Sequence, residues 1–252
     1  MMRSLNEVLR VCQKAAEGAG APAGLDVDAA HGAAWLLARG LPALSDLAED
    51  LTRCPDLAAA CRFEPSAIAD PDQALDAADK AGALITPMLV DFLVARATRD
   101  GEPGRLRVAN LTAPSFLLPP AAGYADRGWG FRLSLDSGTG QSFVFHVADG
   151  GQADVLSSGG DIATLFENRN AWSLDAVCAR TADLLDDPSR IEFNVVLDSG
   201  RLAAAAVRSL AEGVSPDTET WARLQAHAAK VLVPATEQSH LMGAGSLSSD
   251  NE

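Results

Sequence analysis

The stretch GWGFRLSLDSGTGQSFVFHVAD, residues 128–149, decides the fold class. Phe131, Leu133 and Leu135 recur at every second position, and so do Phe143, Phe145 and Val147. Period two places each trio on one face of a strand. Ser137-Gly138-Thr139-Gly140 separates the runs and reads as a hairpin connection. The two trios are then cross-strand partners over a common core. His146, between Phe145 and Val147, falls on the opposite face of the sheet.

Working outward, RLRVANL (105–111) and IEFNVVLD (191–198) alternate in the same way and read as further strands. Upstream of DGEPG (100–104) the period changes to that of helices. SLNEVLRVCQKAAEGAG has Ser4 and Glu7 as a capping box, an apolar face through Leu5, Val8, Leu9 and Cys12, and Gly18 and Gly20 as a stop. Further helices are expected from Asp26 to Arg39, over LSDLAEDL (44–51), over DPDQALDAADKAG with Asp70 as cap and Pro71 first, and over TPMLVDFLVARATRDG with Thr86 as cap and Pro87 next. Downstream, SLDAVCARTADLLDD (173–187) reads as a helix capped by Ser173, and SPDTETWARLQAHAAKVLV as one capped by Ser215 and opened by Pro216. RLAAAAVRSLAEG (201–213) reads as a helix on the sheet or as a return strand. The expectation is an α+β fold: an N-terminal helical array over 1–100, then a mainly antiparallel sheet with packed helices over 101–252, the two regions forming one compact unit.

The 252 residues carry a net charge of −14. That field repels phosphate backbones and anionic membrane surfaces, so neither nucleic acid nor membrane is an expected partner. The most apolar run, AGALITPMLVDFLVA, is too short to span a bilayer and contains Pro87 and Asp91. The N-terminus lacks the apolar stretch of a signal peptide. Cys12, Cys54, Cys61 and Cys178 form no C-x-x-C pair, and no histidine pair has metal-ligand spacing. A reduced, cytoplasmic protein with no metal and no cofactor is expected. No G-x-S-x-G elbow, P-loop or dinucleotide fingerprint is present.

Two segments carry candidate chemistry. GYADRGWGFR combines Arg127, Trp129 and Arg132 with Tyr124; a guanidinium fork suits a carboxylate. The ordinary reading is an arginine stacked on tryptophan at a sheet edge. The tail, PATEQSHLMGAGSLSSDNE (234–252), offers Glu237 and His240 as acid–base candidates, Ser239 as a polar contact, and Gly243 and Gly245 as backbone able to approach a ligand. Leu241 and Met242 argue that 234–245 docks on the body, whereas 246–252 has only solvated residues. These features suggest a metabolic enzyme or ligand-binding protein for a small amino or organic acid. A homo-oligomeric or accessory protein whose tail is structural is the alternative.

Both ends resemble a bacterial family of unknown function. Its members open with a Ser-Leu-Asn-Glu box and close with Val-Pro-Ala-Ser/Thr-Glu, Gly-Ala-Gly and Asp-Asn-acid motifs. The matching residues are Ser4 to Glu7, Val233 to Glu237, Ser239, Gly243 to Gly245, and Asp250 with Asn251; His240 stands where the family pattern has arginine. The resemblance implies no activity, but it marks the tail as a deliberate feature. The N-terminal helices are also similar to the first helices of malate/lactate dehydrogenases of the non-Rossmann type. The His-Gly catalytic signature of those enzymes is missing after ARGLPAL (38–44), and the likeness is set aside as a coincidence of helix pattern.

Overall fold

The computed structural model describes residues 1–64, 73–101, 103–158, 161–167, 171–180 and 194–231. The helices are α1 (Leu5–Gly18), α2 (Leu25–Ala38), α3 (Leu44–Arg53), α4 (Leu57–Ala60), α5 (Gly82–Asp100), α6 (Leu118–Ala125), α7 (Ile162–Glu167), α8 (Ser199–Glu212) and α9 (Thr218–Ala228). The strands are β1 (Leu75–Asp76), β2 (Gly104–Leu111), β3 (Trp129–Asp136), β4 (Ser142–Ala148), β5 (Gln152–Ser157), β6 (Trp172–Arg180) and β7 (Asn194–Leu197). They form one seven-stranded sheet in the order β1-β2-β6-β3-β4-β5-β7. Only the β1–β2 pair is parallel. The α+β class is as the patterning predicted, with helices packed on a mostly antiparallel sheet.

The hairpin forms in the expected register: Phe131 opposes Val147, Leu133 opposes Phe145 and Leu135 opposes Phe143. All six side chains are buried. Burying such side chains is worth ~1.5–3 kcal/mol each, so a one-residue slip would be heavily penalised.

Four local expectations are corrected. First, SLDAVCARTADLLDD is no helix where it is described. Residues 172–180 form β6, which pairs with both β2 and β3, and Ser173 is a strand residue. Trp172, Leu174, Ala176 and Cys178 alternate onto the core face. The small, ambiguous residues between them take the conformation their two neighbours impose. Second, part of DPDQALDAADKAG is β1, with Leu75 opposite Val108. Asp76 then accepts from the Ala78 amide (3.1 Å), turning the chain; Asp70 and Pro71 lie outside the described residues.

Third, α5 begins at Gly82, so Thr86 is not its cap and Pro87 lies inside the helix. The cap comes from elsewhere: Asp50 Oδ2 accepts from the Ala83 amide at 2.8 Å. Gly82 fits there because a Cβ would collide with the Thr112 carbonyl. Fourth, α9 is capped by Asp217, which accepts from the Thr220 amide at 2.8 Å, rather than by Ser215. At α1, Ser4 Oγ accepts from the Glu7 amide (3.1 Å), but the Glu7 carboxylate pairs with Arg3 (2.6 Å), leaving the capping box half formed. Residues 201–213 are helical, within α8.

Candidate functional site

A hollow of about 350 Å³ opens between α3, α7 and the end of β2. From α3 it takes Ser45, Asp46, Glu49, Asp50 and Arg53, residues that recur at three- and four-residue intervals and so share a helical face. From β2 and the turn after it come Asn110, Thr112, Ala113 and Pro114; Leu165 and Phe166 of α7 form an apolar wall.

Asp50 organises this site. Its side chain is almost fully buried and takes three hydrogen bonds: the Ala83 amide, Arg53 Nη2 (2.9 Å) and Thr112 Oγ1 (3.4 Å). Burial pushes the Asp50 carboxyl above the usual carboxylate range, against the opposing pull of the Ala83 amide and Arg53. Arg53 is held in turn by the Lys80 carbonyl (2.6 Å) and the Ala78 carbonyl (3.5 Å). The Arg53 guanidinium is therefore fixed from three sides. Behind α3, Arg223 of α9 donates to the Ala48 carbonyl (3.3 Å), Glu49 (3.2 Å) and Thr52 (3.3 Å), clamping the two helices together.

The rim of the hollow holds unusual backbone. Asn110 (φ 59°) and Ala113 (φ 49°) are left-handed, and among the described residues no other non-glycine residue has positive φ. Such backbone persists where surrounding structure dictates it, and it clusters at ligand sites. Asn110 is anchored by its bond from Nδ2 to Asp76 (2.8 Å). The register of β2 against β6 shifts between Val108 and Leu111, just where Asn110 lies.

The residues singled out from sequence fall elsewhere. The Arg127 guanidinium lies 5.5 Å from the Tyr124 ring centre, and Tyr124 donates to Asp91 at 2.7 Å. Trp129 is buried at the start of β3 beneath Arg180, 4.3 Å from its ring centre. The expected arginine–tryptophan stack exists, but Arg180 makes it. Arg132 points to the other face of β3, beside Arg107, Ser134 and Asp175 on the outer side of the sheet. Trp129 and Arg132 therefore do not form one wall. Glu237, Ser239, His240, Gly243 and Gly245, with the expected docking of 234–245, lie outside the described residues. The α3 stripe Ser45/Asp46–Glu49/Asp50–Arg53 was the available signal for the hollow; its polar spacing resembles any solvated helix face.

All four cysteines are free and buried, and burial pushes the Cys12, Cys61 and Cys178 thiols up to about 12. Among the described residues no cluster of three or more His, Cys, Asp or Glu could hold a metal, and no helix is long and apolar enough to cross a membrane.

Comparison with solved structures identifies the scaffold. A dehydrogenase from Sinorhizobium meliloti superposes with a TM-score of 0.63 at 13% identity, over 90% of this chain and 99% of that one. Malate dehydrogenase from Pyrococcus horikoshii OT3 gives 0.60 at 10% identity, over 94% and 97%. Delta1-piperideine-2-carboxylate reductase from Pseudomonas syringae pvar. tomato gives 0.53 at 11% identity, over 90% and 99%. The likeness is one of fold. It overturns the dismissal of the dehydrogenase resemblance as a coincidence of helix pattern. Residues 3–78 match a family described as "Protein of unknown function (DUF3726)", in keeping with the resemblance to an uncharacterised family. No curated protein matches the sequence.

Proposed function

We propose that the protein takes a small amino or organic acid into the hollow beside α3, as a metabolic enzyme or ligand-binding protein. The carrying observation is the convergence of two left-handed non-glycine residues, Asn110 and Ala113, on the hollow lined by buried Asp50 and its partner Arg53. Support comes from the scaffold. Similar structures bear the names of a malate dehydrogenase, a sulfolactate dehydrogenase and a piperideine-carboxylate reductase, proteins named for small organic acids.

The charges narrow the class. Among the described residues, Asp46, Glu49 and Asp50 line the hollow against one cation, Arg53, which is already engaged. An ammonium group is favoured beside the carboxylates, so an amino acid fits better than an organic acid with no amine. Dehydrogenation also needs a hydride acceptor. The same carboxylate excess does not fit a dinucleotide pyrophosphate. The helical region 1–100 and the region 101–252 act as one unit in this reading, since the hollow draws residues from both. Glu237 and His240 remain proposed acid–base residues of the tail.

A thermal-shift screen of amino and organic acids tests the proposal. A ligand at a hundred times its Kd adds ~2.7 kcal/mol, roughly 5–10 °C for a chain of this size. An amino acid should lead the hits; a flat screen overturns the reading. The alternative, a homo-oligomeric accessory protein, is favoured by the exposure of Val195 on the edge strand β7 and Val207 on α8. A concentration-dependent sedimentation coefficient together with a flat screen would select it.

A further inference from the structure

A second cavity, of about 490 Å³, runs along α2, within the size range of small-ligand sites. Its floor is one stripe of that helix: Asp28, His31, Trp35 and Arg39, spaced by three or four residues. Pro87 of α5, Pro119 and Pro120 of α6, and Leu210 of α8 make the walls. Proline carries no backbone N–H, so at those positions the walls offer no backbone donor.

Arg39 stands at one end. Its guanidinium lies 3.6 Å from the Trp35 ring centre, and Nη1 donates to the Trp35 carbonyl at 3.2 Å. Its other nitrogens have no acceptor among the described residues, and no carboxylate there pairs with it. Burial holds this guanidinium below its ordinary value, so part of its hydration is already stripped. Stacking at a helix C-terminus is common for arginine. That accounts for the stack, but not for a half-buried cation with no counter-ion among the described residues, beside an apolar cavity.

The far end has the opposite character. Asp28 lies there with His31, and its carboxyl is raised by burial and by the charge of Asp91. A second anion would be repelled at that end. Eleven residues of helix separate Asp28 from Arg39, a rise of about 16 Å. The cavity therefore suits one negative head, an apolar body and no second anion.

We propose that the α2 cavity binds an amphipathic monocarboxylate, with the carboxylate on Arg39 and the apolar body against Trp35, Pro119 and Leu210. This is a different site from the α3 hollow and does not rest on the function proposed for it.

Calorimetric titration of the full chain with octanoate tests the assignment. Octan-1-amine supplies the same body with the wrong head, and acetate the head without the body. Octanoate should bind saturably, with no saturable binding of the other two. Arg39→Gln should weaken octanoate about tenfold or more, since it removes a charge-assisted pair. Leu210→Ser should weaken it roughly threefold by removing apolar contact. Asp46→Asn, in the other site, should leave it unchanged. The proposal is overturned if octanoate does not saturate, if octan-1-amine binds as well, or if Arg39→Gln binds octanoate like the wild type. Should Arg39→Gln fail to fold, Leu210→Ser decides, because Leu210 is 75% exposed and its loss spares the core; unchanged affinity there overturns the proposal.

Discussion

The hollow beside α3 and the cavity along α2 are built from neighbouring helices, yet they use their arginines in opposite ways. Arg53 is tied to Asp50 and to two carbonyls, so its charge serves the scaffold and carboxylates dominate the lining. Among the described residues, Arg39 hydrogen-bonds only to the Trp35 carbonyl of its own helix, lies over the Trp35 ring, and borders an apolar cavity. An arginine in a pocket says little about ligand charge until its partners are counted. Where the scaffold has neutralised it, ligand charge is set by the residues around it. Where it has not, the arginine is itself the recognition element.

The largest expected effect is at Asp50. Replacing it with alanine removes the cap of α5 and leaves the Ala83 amide and Arg53 without their buried acceptor. A loss of about 3 kcal/mol or more should appear in urea unfolding, with Asp50→Asn losing less because its carbonyl oxygen still accepts. A loss below about 1 kcal/mol would mean that Arg53 does not depend on Asp50, and the contrast between the two arginines would weaken. Next is Arg223→Ala, which opens the clamp between α9 and α3 at an exposed edge; about 1 kcal/mol is expected by the same assay.

A smaller effect is pH-dependent. His227, near Thr52 (3.4 Å), is lowered from its ordinary value by burial first, then by Lys230 and Arg223. Its folded pKa lies below its unfolded one, so the unfolded chain binds the proton more readily. The contribution of neutral His227 is present above the unfolded pKa of about 6.5 and is lost as pH falls through the lower folded value. Melting temperatures from pH 8 to 5 should fall less in His227→Gln than in the wild type; parallel curves would contradict this. The smallest effect is Val207→Ser, at a residue 69% exposed, which should stay within about 0.5 kcal/mol.

Much of the fold was legible in the sequence, and the reasons differ by element. The 128–149 hairpin was readable because bulky side chains enforce one period and one register. β6 was not, because Ala176, Val177, Cys178 and Ala179 suit a helix or a strand, and two neighbouring strands decide between them. The start of α5 was hidden for a related reason: its cap lies 33 residues away, in α3. The candidate site was less legible still. Nothing in ANLTAP announces left-handed backbone at Asn110 and Ala113, which the surrounding turn imposes. The N-terminal helices carried the likeness to dehydrogenases, and the His-Gly pair missing after ARGLPAL argued against a fold that backbone geometry nonetheless keeps.

The most direct test of the central claim is a calorimetric titration of the best amino-acid hit into the wild type and into Ser45→Trp. Ser45 is half-buried and lines the α3 hollow, so an indole at that position is expected to fill the space. The account predicts saturable binding to the wild type, loss of it in Ser45→Trp, and unchanged octanoate binding in the same variant. Amino-acid affinity that survives the plug unchanged would place the ligand elsewhere and contradict the account.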